Sequence, residues 1–493
     1  MNFNSLAYLI YLPIVVGGYY LLPHRFRWIW LLVASYFFYF SWNLIFGGLI
    51  FVTTLVSYVF SRLIGKYPNH KKLFLVLTSV ICLGILGVFK YLQFAFDSAV
   101  RVLNFFGMHL NDVDFHILLP VGISFYTFQT LSYVIDVYRG EYPCEHHFGY
   151  YALFISFFPQ LVAGPIEKPG DLLPQLEMEH HFNREDFYAA LRFLALGYFR
   201  KCCIADVCGI YVNSIFSDLN GANSFSILLA GLLFCFQMYG DFAGYSEIAM
   251  GSARLLGIRL TQNFRQPYTS LTYGEFFHRW HYSLNRWFTQ YLYIPLGGNR
   301  KGKARKILNI FIVFTLCGLW HGARWTYVLW GLYAAFFISF ETLFLEKILN
   351  FLRRHHVPVE SSGFLLFRRI LILLIFIIAA ILFRSSTLNE AFLALRILFT
   401  RFDNPAIMIQ KTFEIAQLSL AGLLSLGLFL LVMHLGYEFA YGEKKPVSPS
   451  VDWNFEKALP SCLLYVCFFL CILVCYFGLV SSDSSSSFAY FQF

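Results

Sequence analysis

Residues 274–306 read "GEFFHRWHYSLNRWFTQYLYIPLGGNRKGKARK". Glu275, His278, Arg279, His281 and Arg286 are interleaved with Trp280, Trp287 and further aromatics, and Pro295 to Gly298 break the pattern ahead of Arg300, Lys301, Lys303, Arg305 and Lys306. The stretch is too polar to face lipid and too aromatic to be a free loop. The pattern predicts a helix that dips into a bilayer and lines a cavity inside the protein, ended by Pro and Gly before a basic loop.

The flanks set that segment in a membrane. Apolar runs occupy 6–22, 28–44, 46–61, 73–90, 117–137, 148–165, 187–204 and 224–245 before it, then 307–345 as a pair, 366–384, 417–437 and 460–480 after it. About 20 apolar residues suffice to cross a hydrocarbon core. Of the 493 residues 58% are apolar, 20% aromatic and only 13% charged, against about 25% charged in soluble domains. A soluble enzyme, a disordered chain and a disulfide scaffold are excluded on that arithmetic. The expected class is an all-α polytopic membrane protein with about 11–13 membrane segments, re-entrant ones included. We expect one integral-membrane domain over 1–493: a core at 119–345, C-terminal spans at 366–480 and a tail at 481–493. Residues 166–186 and 386–412 read as surface segments, amphipathic in the first case and a helix plus loop in the second.

Charge gives the orientation. The first run is followed, not preceded, by His24, Arg25 and Arg27, which places the N-terminus outside. Arg62, Lys66, Lys71 and Lys72, the cluster from Arg300 to Lys306, and Arg353, Arg354, Arg368 and Arg369 then all fall on the cytoplasmic side, and the tail "SSDSSSSFAYFQF" falls outside. The net charge of +9 is therefore a topology signal, and no nucleic-acid partner is expected. The eleven cysteines, among them Cys467, Cys471 and Cys475, read as small buried hydrophobes.

Ionisable groups at membrane depth mark function. His321 lies in the apolar stretch "FTLCGLWHGARWTYVLWG"; a neutral imidazole there is a ready general base, and Gly322, lacking a Cβ, is expected to let a backbone or ligand come close. Glu275, His278 and His281 at i, i+3 and i+6 contain one E-x-x-H pair, but a di-metal site of that kind needs a second pair and further carboxylates. No metal is expected.

Six strings, "LPVGISFYTFQTLSYVIDVYRGE" at 119–141, "FFPQLVAGPIE" at 157–167, "GYFRKCCIAD" at 197–206, "YGDFAGYSEIAMGSARLLGI" at 239–258, "NFRQPYTSLTYGEFFHRWHYSLNRWFTQYLYIPLGGNRKG" at 263–302 and "LCGLWHGARWTYVLWG" at 316–331, together resemble the membrane-bound O-acyltransferases. The resemblance is to the bacterial branch that acetylates alginate and D-alanylates teichoic acids, nearest its alginate O-acetylase-like members. It implies that family's helical fold around a central tunnel, with His321 as catalytic base and His281 across the tunnel from it. Glu275, His278, Arg279, Trp280, Ser283, Asn285 and Trp320 would line or support the tunnel. Glu247 and Arg265 stand where the family often has Asp and Asn, which bears on local hydrogen bonds. Tyr490 in the "FAYFQF" ending is a candidate acyl relay; by composition alone the same tail is an interfacial aromatic anchor.

The implied activity is acyl transfer from a cytoplasmic thioester, with acetyl-CoA favoured and no bound cofactor, to hydroxyls of an extracytoplasmic polysaccharide. An esterase-like acyltransferase outside and the lipid bilayer are the other partners, and the inner membrane of a bacterial cell the location, with both termini extracytoplasmic. Arg300, Lys301 and Lys303 could attract an anionic donor as well as set topology. The alternatives are D-alanyl transfer to teichoic acid from a carrier protein, a transporter or flippase, which predicts paired broken helices in two repeats, and an inactive scaffold. One interrupted segment is present, without a counterpart in the other half.

Overall fold

The computed structural model describes residues 1–418 apart from 112 and 163, with four further positions between 422 and 430. The expected span at 460–480, most of that at 417–437, Cys467, Cys471, Cys475 and the tail with Tyr490 lie outside the described residues. The chain forms two compact units, one of Met1–Phe182, Leu256–Arg265 and Phe277–Ile348, the other of Asn183–Leu255, Gln266–Phe276 and the chain from Leu349 on.

Helices make up both units, with no strand among the described residues. The first unit holds α1 (Leu6–Leu21), α2 (His24–Phe40), α3 (Leu44–Lys66), α4 (Lys71–Leu86), α5 (Leu92–Phe105), α6 (Ile123–Arg139), α7 (Phe148–Ser156) and α8 (Pro169–Glu177). The second opens with α9 (Arg184–Phe199), α10 (Asp206–Ser217) and α11 (Ser224–Leu255). The polar segment forms α12 (Tyr273–Arg279) and α13 (Tyr282–Phe288), followed by α14 (Gly302–His321), α15 (Trp325–Phe340) and α16 (Glu346–Arg354). Last come α17 (Ser362–Arg384), α18 (Leu388–Thr400) and α19 (Pro405–Ala416), so the stretch at 386–412 forms two helices, where one helix and a loop are expected. Among the described residues six stretches have the length and apolar content to cross a membrane: Leu44–Lys66, Pro68–Phe105, Ser224–Leu255, Gly302–His321, Trp325–Arg354 and Ser362–Arg384.

Three expected spans are redrawn. The run at 148–165 stays helical only to Ser156, because Pro159 and Pro165 cannot donate to a continuing helix. Its non-helical backbone is buried and therefore needs partners from the protein. Gln129 and Gln160 both donate to the Phe154 carbonyl, at 2.6 and 3.0 Å, and Ser35 Oγ accepts the Phe158 N–H at 3.1 Å. The run at 187–204 is part of a helical stretch that continues through a π turn to Ser217. The run at 73–90 likewise does not stop at Lys90: a π turn at Gly87–Tyr91 leads into α5, so Lys90 sits inside a helical stretch of 38 residues.

The second unit buries charge. Between the π turn that joins α9 to α10, the start of α10 and α11, Arg200 is paired with Glu247, and Lys201 Nζ lies 2.7 Å from Asp206 Oδ1 and 2.8 Å from Asp241 Oδ1. The guanidinium also lies over the Tyr239 ring, 5.1 Å from its centroid. Buried charges persist only when matched in this way.

Candidate active site

The site is built in the first unit. The pair of apolar runs at 307–345 folds as a hairpin of α14 and α15. It closes tightly because two glycines face the opposing backbone: a Cβ on Gly318 would meet the Tyr327 carbonyl at 2.2 Å, and one on Gly331 the Phe314 carbonyl at 2.3 Å. His321 is the last residue of α14, at the turn of the hairpin and about 28 Å from the start of that helix by its rise per residue. Gly322 does not clear a path for a ligand. Its missing side chain is replaced by the Tyr327 ring, which a Cβ would meet at 2.2 Å, and this seats the ring beside the turn.

His281 owes its position to a break in the polar segment. In place of one dipping helix, the segment stops at Arg279 and restarts at Tyr282, with His281 in the left-handed region at φ 49°. A non-glycine residue holds that conformation only where its surroundings over-determine it. The restart leaves backbone N–H groups without helical partners, and the extended segment before α12 supplies them. Asn263 accepts the Tyr282 N–H on its carbonyl at 2.9 Å and the Ser283 N–H on Oδ1 at 3.1 Å, while the Arg279 carbonyl accepts the Arg265 N–H at 3.0 Å. Ser283 Oγ in turn accepts the Ile166 N–H at 3.0 Å. The next residue, Glu167, is buried and accepts from Thr261 N–H at 2.5 Å and Thr261 Oγ1 at 2.8 Å. Burial pushes its carboxyl up to about 7, with the Thr261 donors and Arg286 pulling downward. A strap over 261–265 is thus clamped at one end by Glu167 and carries the break at the other.

Loss of the Asn263 acceptor strands a buried N–H, so Asn263→Ala is expected to lower stability by about 1–3 kcal/mol. Thermal unfolding in detergent reads that loss, and acyl transfer should fall with it as His281 loosens.

The two histidines line one cavity. Trp280, His281, Leu284 and Asn285 face it from the polar segment, Cys317 and His321 from α14, and the walls are apolar: Phe277, Phe288, Val313, Phe314 and Trp330. Its free volume of about 30 Å³ admits a water or a small reacting group. The indole of Trp320 touches both imidazoles, with ring centroids 5.8 Å from His281 and 5.1 Å from His321.

Asn285 also makes a backbone contact, and the remaining expected site residues lie elsewhere. Asn285 Nδ2 donates to the Phe277 carbonyl at 3.1 Å and lies 3.3 Å from Nδ1 of the exposed His278. Glu275 caps α12, its carboxylate accepting the Leu271 N–H at 2.9 Å while its own N–H donates to Thr272 Oγ1 at 2.9 Å. Arg279 contributes its carbonyl to the strap. Arg300, Lys301 and Lys303 are exposed, whereas Arg305 holds the turn that ends the polar segment, donating to the Leu296 carbonyl at 3.1 and 3.2 Å. Among the described residues no three His, Cys, Asp or Glu side chains converge as a metal ion would need. The sequence marks Glu167 only as part of the amphipathic segment at 166–186 and gives no role to Asn263 or Thr261, since each acts through a partner many positions away.

Comparison with known proteins identifies the family. The profile of MBOAT, the membrane-bound O-acyltransferase family, matches residues 145–356, a range that holds every cavity-lining residue. The probable alginate O-acetylase AlgI of Pseudomonas putida is 33% identical over the whole of both chains. That of Pseudomonas aeruginosa is 39% identical over 69% of this chain and 66% of its own. The peptidoglycan O-acetyltransferase of Helicobacter pylori is 32% identical over 67% and 68% respectively. With a relative matched from end to end and the family profile lying over both histidines, the chain belongs to the membrane-bound O-acyltransferase family and is a multi-pass membrane acyltransferase.

Proposed function

We propose that this acyltransferase moves an acetyl group from acetyl-CoA on the cytoplasmic side to hydroxyls of a polysaccharide outside the membrane, with His321 as general base. The observation that carries the reading is the placement of His321 and His281 on one small, apolar-walled cavity, each on a helix end fixed by partners from elsewhere in the fold. His321 takes the proton of the acceptor hydroxyl, and the oxygen bonds to the thioester carbonyl carbon. The oxyanion that forms is met by the His281 imidazole or by backbone N–H groups, each such donor being worth about 3–4 kcal/mol. Collapse breaks the C–S bond, and the departing thiolate recovers the proton from His321. A thioester is electrophilic enough for this without a metal.

Acetyl is favoured over D-alanyl because the acetylating relatives match along most or all of this chain, whereas the teichoic acid D-alanyltransferase of Bacillus subtilis matches 45% of it at 26% identity. The first hydroxyl deprotonated by His321 would be the phenol of Tyr490, which takes the acetyl group as a relay; the sugar hydroxyl, presented by an esterase-like acyltransferase partner, then takes the acetyl and returns its proton to the phenolate, in the inner membrane of a bacterial cell with both termini outside. Purified protein given radiolabelled acetyl-CoA, that partner and polysaccharide should release labelled ester, and a D-alanyl carrier protein should not substitute. Label confined to the donor pool would refute the acetyl assignment.

The exposed Arg300, Lys301 and Lys303 would draw the phosphates of the donor to its entrance. Changing all three to Gln is expected to raise KM for acetyl-CoA by about tenfold at low salt while kcat holds, and the effect should shrink as salt screens the charges.

A further inference from the structure

We propose that Lys90 is a positioning residue for His321: with Tyr91 and Ser124 it clamps the end of α14, so that the imidazole is held at the cavity. The inference rests on the reading of His321 as the base and deepens it.

A lysine inside a long apolar helix is costly and calls for a partner. Here the partners are the last carbonyls of the helix that ends in His321. Lys90 Nζ donates to the Trp320 carbonyl at 2.5 Å, reaches the His321 carbonyl at 3.5 Å, and donates to Ser124 Oγ at 3.0 Å. The neighbouring Tyr91 hydroxyl donates to the Leu319 carbonyl at 2.8 Å. The end of an α-helix leaves its final carbonyls unpaired, and a cation is the favoured group to meet them. Three consecutive carbonyls, Leu319 to His321, are therefore gathered by two adjacent side chains.

Geometry explains why two adjacent residues can do this. Lys90 and Tyr91 end the π turn at Gly87–Tyr91, a distortion frequent at functional sites. Ser124 stands in the first turn of α6, so the lysine ties three helical stretches of the first unit together at the hairpin turn. Its ammonium also lies 5.8 Å from the centroid of the Trp320 ring, the indole that touches both histidines. Apart from the one to Ser124, these contacts fall on His321 or on the two residues before it. Lys90 is not a lining residue of the cavity, so its effect on the reaction passes through His321.

The test is a double-mutant cycle on detergent-purified protein, with kcat and KM for acetyl-CoA measured for Lys90→Met, His321→Ala and the pair. Lys90→Met should lower kcat by about 100-fold, the cost of a misplaced catalytic group, with KM unchanged. In the His321→Ala background the same change should cost nothing further, because a group that acts only through another has no effect once that other is gone. Lys90→Arg, which keeps a donor, should recover most of the rate. If Lys90→Met does not fold, Tyr91→Phe removes one carbonyl contact without touching the lysine; it should give a smaller kcat loss that also vanishes in the His321→Ala background. A wild-type kcat in Lys90→Met, or an equal loss in both backgrounds, would overturn the positioning role while His321→Ala keeps only its residual rate. Full activity of His321→Ala would instead overturn the base assignment beneath it.

Discussion

His321→Ala protein is expected to insert and fold, yet to transfer acetyl groups about 1,000-fold more slowly than the wild type. That corresponds to about 4 kcal/mol of barrier. The imidazole touches the rings of Trp320 and Trp330 but does not anchor the hairpin, whose closure depends on Gly318 and Gly331. Elution as a single species and a melting temperature near the wild-type value would establish the fold. Single-turnover transfer of radiolabel would then give the rate. His321→Gln, closer in shape and able to hydrogen-bond but a poor base, should behave like His321→Ala; recovery with Gln would mean that the residue only orients its surroundings.

Glu247→Ala is expected to destabilise the second unit by about 3–5 kcal/mol, because it leaves the Arg200 guanidinium buried without its carboxylate. Both side chains are only 1% exposed, so water cannot take over the role of the carboxylate. The effect should appear as a lower apparent melting temperature and a fall in membrane yield. Replacing both partners with apolar residues, Arg200→Met with Glu247→Leu, should restore most of the loss, since the cost lies in the unmatched charge and not in the missing ion pair. A Glu247→Ala protein as stable as the wild type would show that the pair is not needed.

Glu247 also shows what the sequence could and could not disclose. As a departure from the usual family residue it signals a change in local hydrogen bonds. Nothing in the period of its own helix points to Arg200, 47 positions earlier. The long helices were legible because an apolar run reports directly on its surroundings, and the stop at Pro295 to Gly298 was legible because Pro and Gly act on their own backbone. The hairpin of α14 and α15 followed from an apolar run too long for one crossing.

Features that depend on a distant partner were hidden. The break at His281 is one, since a helical pattern runs through it in sequence, whereas Asn263, an acceptor for the restart, lies 20 positions before Ser283. The end of the run at 148–165 is another: Pro159, Gly164 and Pro165 were visible, but Ser35 and Gln129, which allow the backbone to leave the helix while buried, lie outside the run. Lys90 looked like the polar end of a span. Its use lies 230 positions later, on the carbonyl of Trp320.

The claim on which the mechanism turns is that His321 deprotonates an alcohol from one side of the membrane while a thioester reaches it from the other. Proteoliposomes with one orientation of the protein, radiolabelled acetyl-CoA supplied only to the face bearing Arg300 to Lys306, and the esterase-like partner with a sugar acceptor only on the opposite face, test it. Ester label should appear on the acceptor with wild-type protein and fall to background with His321→Ala. Equal labelling by the two proteins would contradict it.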